Sequence, residues 1–318
     1  MTRIAVASRS FSRNAALRAE LSARYPNVTF SESPDVLDGA ELVALLRGHD
    51  RAIVGLERID EAVLEQVPEL AVISKYGVGL DAVDLDAIAR RGIRLGWTGG
   101  VNRRSVSELT LSFAIALLHR VPETTATLRG AAWQPLVGRQ LTGKTIGIVG
   151  CGFVGQDLVR LLAPFECRVL AHDIRDYPDF YRAHQVTPVP LAQLLAEADI
   201  VSLHVPLDRT TAGMIGAAEL GRMRKGSVLI NAARGGLIDE DALADALESG
   251  HLAGAACDVF QIEPDANPRL LAQPTFLGTP HIGGSTKEAQ LAMGRAAIEG
   301  LENNRVPGDG WPCDGPMG

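Results

Sequence analysis

Thr145-Ile-Gly-Ile-Val-Gly-Cys-Gly-Phe-Val-Gly155 packs three signals into one short run. Its first five residues are an apolar segment of strand length. The next six spell Gly150-x-Gly152-x-x-Gly155, and a helical pattern follows over 156–163. Strand, glycine turn and helix in that order open a dinucleotide-binding βαβ unit. Gly150 permits the tight turn, Gly152 lets backbone approach a pyrophosphate, and Gly155 lets helix and strand pack closely. The helix N-terminus then offers N–H groups and partial positive charge to phosphates. Asp173 stands 18 residues past the third glycine, at the end of the next apolar run. There a carboxylate accepts both ribose hydroxyls and repels a 2′-phosphate, which favours NAD over NADP. Arg175, two residues on, works against that preference.

The same alternation extends in both directions. Upstream, apolar runs at 3–8, 51–55, 71–74 and 93–95 alternate with helical patterns at 14–24, 35–47, 61–66 and 85–91, and a long helical run covers 105–120. Downstream of the fingerprint, runs at 168–172, 199–204, 227–231 and 254–258 are each followed by a turn or helix. Such alternation predicts parallel sheets with helices on both faces, an α/β chain. Because the fingerprint lies in mid-chain, a first domain precedes it, and the helical run 286–304 can return to that domain. The expected division is a substrate-binding domain of residues 1–101 plus 283–305 and an inserted nucleotide-binding domain of residues 102–282. From Val306 the chain reads VPGDGWPCDGPMG, a Gly/Pro-rich flexible tail by composition.

Composition excludes several other classes. The 318 residues carry 31 basic and 38 acidic side chains, a net charge of −7, so no basic face is available for a nucleic-acid backbone. Hydrophobic residues at 46% and charged residues at 22% are the balance of a globular chain. Met1–Ser8 reads as a first strand rather than a signal peptide, and no run approaches the ~18 apolar residues of a membrane span. Four cysteines without CxxC or finger spacing give no zinc site, and free thiols suit a cytoplasmic protein. The 33 glycines exceed the usual share of about 7%. Apart from four in the tail, many recur in clusters at the ends of the apolar runs.

Three further clusters stand at such ends: Asn231-Ala-Ala-Arg-Gly-Gly-Leu-Ile-Asp239, Cys257-Asp-Val-Phe-Gln-Ile-Glu-Pro264, and Thr279-Pro-His-Ile-Gly-Gly-Ser-Thr-Lys-Glu-Ala-Gln290. Singly, their arginine, glutamate and histidine read as a surface cation, a turn acid and a solvated imidazole. In this order behind the fingerprint, with Ser74-Lys-Tyr-Gly-Val-Gly-Leu-Asp-Ala-Val-Asp84 and Asn102-Arg-Arg-Ser-Val-Ser-Glu-Leu109 upstream, the chain resembles the D-isomer-specific 2-hydroxyacid dehydrogenases over nearly its whole length. Within that family the wording of 231–240 and 281–290 is nearest to the short phosphoglycerate dehydrogenases. The resemblance implies a Rossmann domain inserted into a discontinuous flavodoxin-like domain, both with doubly wound parallel sheets. It also implies NAD, a homodimer built through the nucleotide domains, and a catalytic set of Arg234, Glu263 and His281.

In those roles His281 exchanges the proton of the C2 hydroxyl, Glu263 orients it, and Arg234 grips the substrate carboxylate. Cofactor contacts carried over by motif are Gly150, Gly152, Phe153, Val154, Gly155, Asp173, His204, Val205, Pro206, Ala232, Asp258, Gly283 and Gly284. Substrate contacts are Lys75, Tyr76, Gly77, Val78 and Gly79, together with Arg234 and His281. The chain departs from phosphoglycerate dehydrogenases at 54–58, where their arginine is replaced by Gly55. Lys75, Arg103 and Arg104 read either as cations suited to a second anionic group, phosphate or phosphonate, or as solvated surface. Two other readings share the fold: a phosphite-type dehydrogenase, and an NAD(H)-sensing interaction protein.

Overall fold

The computed structural model describes residues 2–308, so most of the tail expected from Val306 lies outside the described residues. The chain divides into two compact units, one formed by the residues up to Asn102 together with those from Thr286 on, the other by Arg103–Ser285. The first holds five parallel strands: β1 (Ile4–Val6), β2 (Val28–Phe30), β3 (Arg51–Val54), β4 (Val72–Lys75) and β5 (Arg94–Gly96), in the order β2-β1-β3-β4-β5. The second holds seven: β6 (Thr145–Val149), β7 (Arg168–His172), β8 (Thr187–Pro188), β9 (Ile200–Leu203), β10 (Val228–Asn231), β11 (Gly254–Cys257) and β12 (Phe276–Gly278). Their order, β12-β11-β10-β9-β6-β7-β8, is the Rossmann arrangement, and that of the first sheet is the flavodoxin-like one. Three strands lie beyond those expected from the apolar runs: β2, β8 and β12, all at or next to sheet edges.

Both sheets are covered on both faces, which is why strands such as β1, β9, β10 and β11 are buried at every residue. In the first unit Ile4, Val6 and Ile53 pack with Leu17, Leu21, Ala297 and Ile298, while Ala5, Ala52, Val54 and Ile73 face Leu42, Val43 and Leu46 on the other side. The helix Lys287–Gly300 thus completes the first unit's core although it follows the second unit in sequence. In the second unit Ile146, Ile148 and Ile230 meet Phe113, Leu117 and Leu158; Val149, Val201 and Leu229 meet Leu194, Leu220 and Leu243.

The returning helix approaches its sheet at backbone distance. A Cβ on Gly96 would stand 2.1 Å from the Gly300 carbonyl oxygen, and Ser74 Oγ donates to the Ala297 carbonyl at 2.6 Å. Past the helix, Leu95 and Arg305 form an antiparallel bridge that ties the chain end to β5. Gly96→Ala should therefore force helix and sheet apart and cost about 1–3 kcal/mol. A lower urea midpoint would register that loss, and an unchanged midpoint would show that the approach is not a packing constraint.

Candidate active site

In both sheets every strand points its carboxyl end to one edge, where α/β proteins bind ligands. In the second sheet that edge begins with the glycine turn after β6. Gly150 has φ +93°, and a Cβ there would lie 2.7 Å from the carbonyl carbon and oxygen of His204, at the end of the neighbouring β9. A Cβ on Gly155 would stand 2.3 Å from the Gly150 oxygen. Gly152 is different, because nothing lies within 4 Å of where its Cβ would be. It is the N-cap of the helix Phe153–Leu162, and no side chain caps that end. Open space in front of uncapped N–H groups is what a pyrophosphate requires, so these residues fit a dinucleotide. Asp173 closes the turn from the side: its carboxylate accepts from the N–H of Cys151 at 2.6 Å and of Arg175 at 2.8 Å. Cys151 itself is buried, and burial, reinforced by Asp173, pushes its thiol up to about 12, so it remains a protonated thiol.

Two buried polar residues at strand ends position the Arg234, Glu263 and His281 loops. Asn231, which ends β10, accepts from the Ala233 N–H at 3.1 Å and donates to the Arg234 carbonyl at 2.8 Å, shaping the loop that carries Arg234. Asp258 follows β11 and is 1% exposed. One carboxylate oxygen accepts from Thr279 Oγ1 at 2.6 Å and Ile282 N at 2.7 Å, the other from Gly283 N at 2.7 Å, and its carbonyl accepts from His281 N at 2.8 Å. These bonds hold His281 at φ +55°, a left-handed conformation that is strained for an imidazole side chain. Glu263 is fixed in turn: Oε1 accepts from Phe260 N at 3.1 Å, and Oε2 meets His281 Nδ1 at 2.9 Å. Gly235 brings the first loop against the second, since a Cβ there would fall 1.8 Å from the Phe260 oxygen. Glu263 and His281 thus form a pair, and the loop of Arg234 is packed on that of Glu263. Asn231 and Thr279 lie inside the quoted motifs without a role assigned there; their signal is a polar residue closing an apolar strand.

The other residues singled out from sequence fall in several environments. Val205 is partly buried, Pro206 is exposed and its carbonyl accepts from Thr211 Oγ1 at 2.7 Å, and Ala232 is buried. Arg104 pairs with Asp157 of the helix after the glycine turn at 3.0 Å. In the first unit Gly77, Val78 and Gly79 are partly exposed beyond β4. Tyr76 turns inward, edge-on to Phe11 at 6.0 Å, with its hydroxyl buried and without a partner, and burial raises its phenol to about 12. Lys75 is 5% exposed, and its ammonium donates to the carbonyls of Gly55 at 2.6 Å and Tyr76 at 3.2 Å.

These features define a nucleotide-binding α/β protein with a histidine–carboxylate pair at the strand ends of its dinucleotide unit. Residues 111–283 match the model of the D-isomer specific 2-hydroxyacid dehydrogenase, NAD binding domain. The chain is 39% identical over 289 residues to D-3-phosphoglycerate dehydrogenase of Escherichia coli (strain K12), covering 88% of this chain and 69% of that one. It is 37% identical over 269 residues to D-3-phosphoglycerate dehydrogenase of Mycobacterium tuberculosis (strain ATCC 25618 / H37Rv), covering 83% of this chain and 51% of that one. It spans about half the length of the mycobacterial relatives. Among solved structures, the pyruvate reductase of Chlamydomonas reinhardtii superimposes with a TM-score of 0.79 at 30% identity, covering 95% of each chain. The chain belongs to the D-isomer specific 2-hydroxyacid dehydrogenase family. NAD is the cofactor of its second unit.

His204 yields a pH-dependent signature. Its Nε2 lies 2.9 Å from Ser202 Oγ, its Nδ1 is buried without a partner, and burial lowers its pKa from the usual 6.5 to about 4. Because the folded chain resists protonating this ring, the stability it contributes is complete above pH 6.5. That contribution is lost as pH falls toward 4, by at most about 3 kcal/mol. His204→Gln should flatten this part of the stability profile in urea melts at pH 7, 5.5 and 4. Parallel profiles for both proteins would show that His204 is not the titrating group.

Proposed function

We propose that this chain is an NAD-dependent dehydrogenase interconverting a D-2-hydroxy acid and its 2-oxo acid. The observation that carries the reading is the His281–Glu263 pair at 2.9 Å, locked by Asp258 and set on the dinucleotide unit. Bound NAD supplies the hydride acceptor or donor. Glu263 holds Nδ1 of His281, which leaves Nε2 to take the proton of the substrate's C2 hydroxyl, or to return it to the oxo oxygen. The planar guanidinium fork of Arg234 matches a carboxylate and polarises the neighbouring C2 oxygen. The N–H groups of Val78 and Gly79 serve as the second clamp on the substrate carboxylate. Phe153, Val154, Val205, Pro206, Ala232 and Gly284 complete the cofactor contacts. The names of the Escherichia coli and mycobacterial relatives support a substrate with a second anionic group, phosphoglycerate-like or phosphonate-like. That of the Chlamydomonas neighbour supports an acid with a methyl tail.

The test is NADH oxidation across a panel of 2-oxo acids, with NAD reduction by phosphite alongside. NADH binding without turnover of any of them would overturn the reading and point to a ligand-sensing role. His281→Ala should lower kcat at least about 100-fold while leaving NADH affinity within about threefold. A large loss of cofactor binding would remove His281 from the proton-transfer role.

We also propose a homodimer through the nucleotide-binding units, in the cytoplasm. The helix Val121–Arg129 and the segment after it expose Val121, Leu128, Trp133 and Val137, the last two 88% and 91% exposed. Apolar side chains so exposed support a partner surface. Buried free thiols at Cys151 and Cys257 suit a reducing compartment, and no helix among the described residues is long and apolar enough to cross a membrane. Light scattering should give twice the chain mass, and Trp133→Glu should shift it to one chain. A wild-type monomer at micromolar concentration would refute the assembly.

A further inference from the structure

The topological switch point of the first sheet lies between β1 and β3, whose connections leave in opposite directions along the sheet. At the carboxyl ends of these strands and of β4, the first unit buries two opposite charges that no step above uses. Glu57 is 1% exposed and Lys75 is 5% exposed. Both are tied to a single peptide: Gly55 donates its N–H to Glu57 Oε2 at 2.5 Å, and its carbonyl accepts from Lys75 Nζ at 2.6 Å. The cluster is crowded, since a Cβ on Gly55 would stand 2.7 Å from Ser8 Oγ and 3.5 Å from Glu57 Oε2. The cluster also reaches Gly77, next to the Val78 and Gly79 N–H groups proposed to clamp the substrate. Gly77, at φ +106°, would place a Cβ 3.6 Å from Lys75 Nζ.

From this juxtaposition we infer that Glu57 and Lys75 set the substrate's tail charge, selecting 2-oxo and 2-hydroxy acids whose group beyond C2 is uncharged. A buried ammonium with no nearby carboxylate would draw an anion to this edge, because an isolated buried charge is costly. Here the charge is already balanced from within: one buried lysine and one buried glutamate leave the cluster formally neutral. Two of the ammonium's three donors go to the carbonyls of Gly55 and Tyr76 instead of to a ligand. A phosphate dianion arriving beside Gly77 would gain little from Lys75. It would also meet the field of Glu57 in a poorly screened setting. A methyl or hydroxymethyl group meets neither cost.

The inference rests on the dehydrogenase reading, and one experiment separates their failures. The purified full chain is assayed with NADH for kcat/KM on pyruvate, 2-oxobutyrate and hydroxypyruvate, and on 3-phosphohydroxypyruvate, phosphonopyruvate and 2-oxoglutarate. The best uncharged-tail acid should exceed the best charged-tail acid at least tenfold. Glu57→Gln keeps the shape and an oxygen for the Gly55 N–H while removing the charge, so it should shift the hydroxypyruvate to 3-phosphohydroxypyruvate ratio at least tenfold toward the phosphorylated acid. A wild-type preference for a charged tail, or a folded Glu57→Gln enzyme whose ratio stays within threefold of wild type, overturns the inference and leaves the dehydrogenase reading standing. Absence of NADH oxidation with all six acids overturns both. If Glu57→Gln does not fold, the wild-type ratio alone decides.

Discussion

The Asp258 carboxylate is the constraint from which the candidate site follows. It is buried at the end of β11 and accepts from Thr279, Ile282 and Gly283, so the segment after β12 cannot relax away from the sheet. A carboxylate buried without donors would be costly, and here three donors from one loop meet it. The consequence is conformational. With His281 N held on the Asp258 carbonyl and its neighbours on the carboxylate, the histidine backbone is driven to φ +55°, and the ring meets Glu263. An imidazole on an unrestrained loop would not sit 2.9 Å from its acid. Gly283 belongs to the same constraint, since a Cβ there would approach Asp258 Oδ2 to 2.9 Å.

The legible parts of the chain were those whose physics is local. Buried parallel strands such as Val228–Asn231 and Ile200–Leu203 read as continuous apolar runs because both faces are covered, and the glycine turn after β6 has a spacing that few other structures need. The edge strands lacked that signal. Val28–Phe30 is three residues long with no buried position, Thr187–Pro188 is exposed and contains a proline, and Phe276–Gly278 buries only its first residue. Nothing in such segments repeats at a strand's period, so only pairing with a neighbour defines them.

The site divides along the same line. Arg234, Glu263 and His281 could be singled out because they sit in motifs of fixed wording. What brings two of them into contact is long-range and has no spacing to read. Asn231 and Thr279 gave no sign of their positioning roles, because a polar residue at a strand end is common and its partner depends on the fold. Lys75 shows the limit most clearly. From sequence it stood as a cation suited to a second anion or as solvated surface. Its 5% exposure and its bonds to the Gly55 and Tyr76 carbonyls rule out the solvated surface. Lys75 and Glu57, 18 residues apart, meet the same Gly55 peptide, and that arrangement exists only once β3 and β4 lie side by side.

The two sheets meet the same geometric demand with opposite chemistry. At each switch point a glycine lies against the neighbouring strand end, Gly150 against the His204 backbone and Gly55 against the Ser8 side chain. In the second sheet the turn then leaves uncapped N–H groups facing open space at Gly152, and the nearby imidazole stays neutral, its pKa lowered to about 4 by burial. The uncapped helix N-terminus at that edge offers backbone dipole charge, which suits a pyrophosphate. In the first sheet the N–H and the carbonyl of Gly55 are both taken up by buried charges of opposite sign, so the peptide dipole is spent internally. One switch point therefore presents backbone charge to a ligand and the other cancels it.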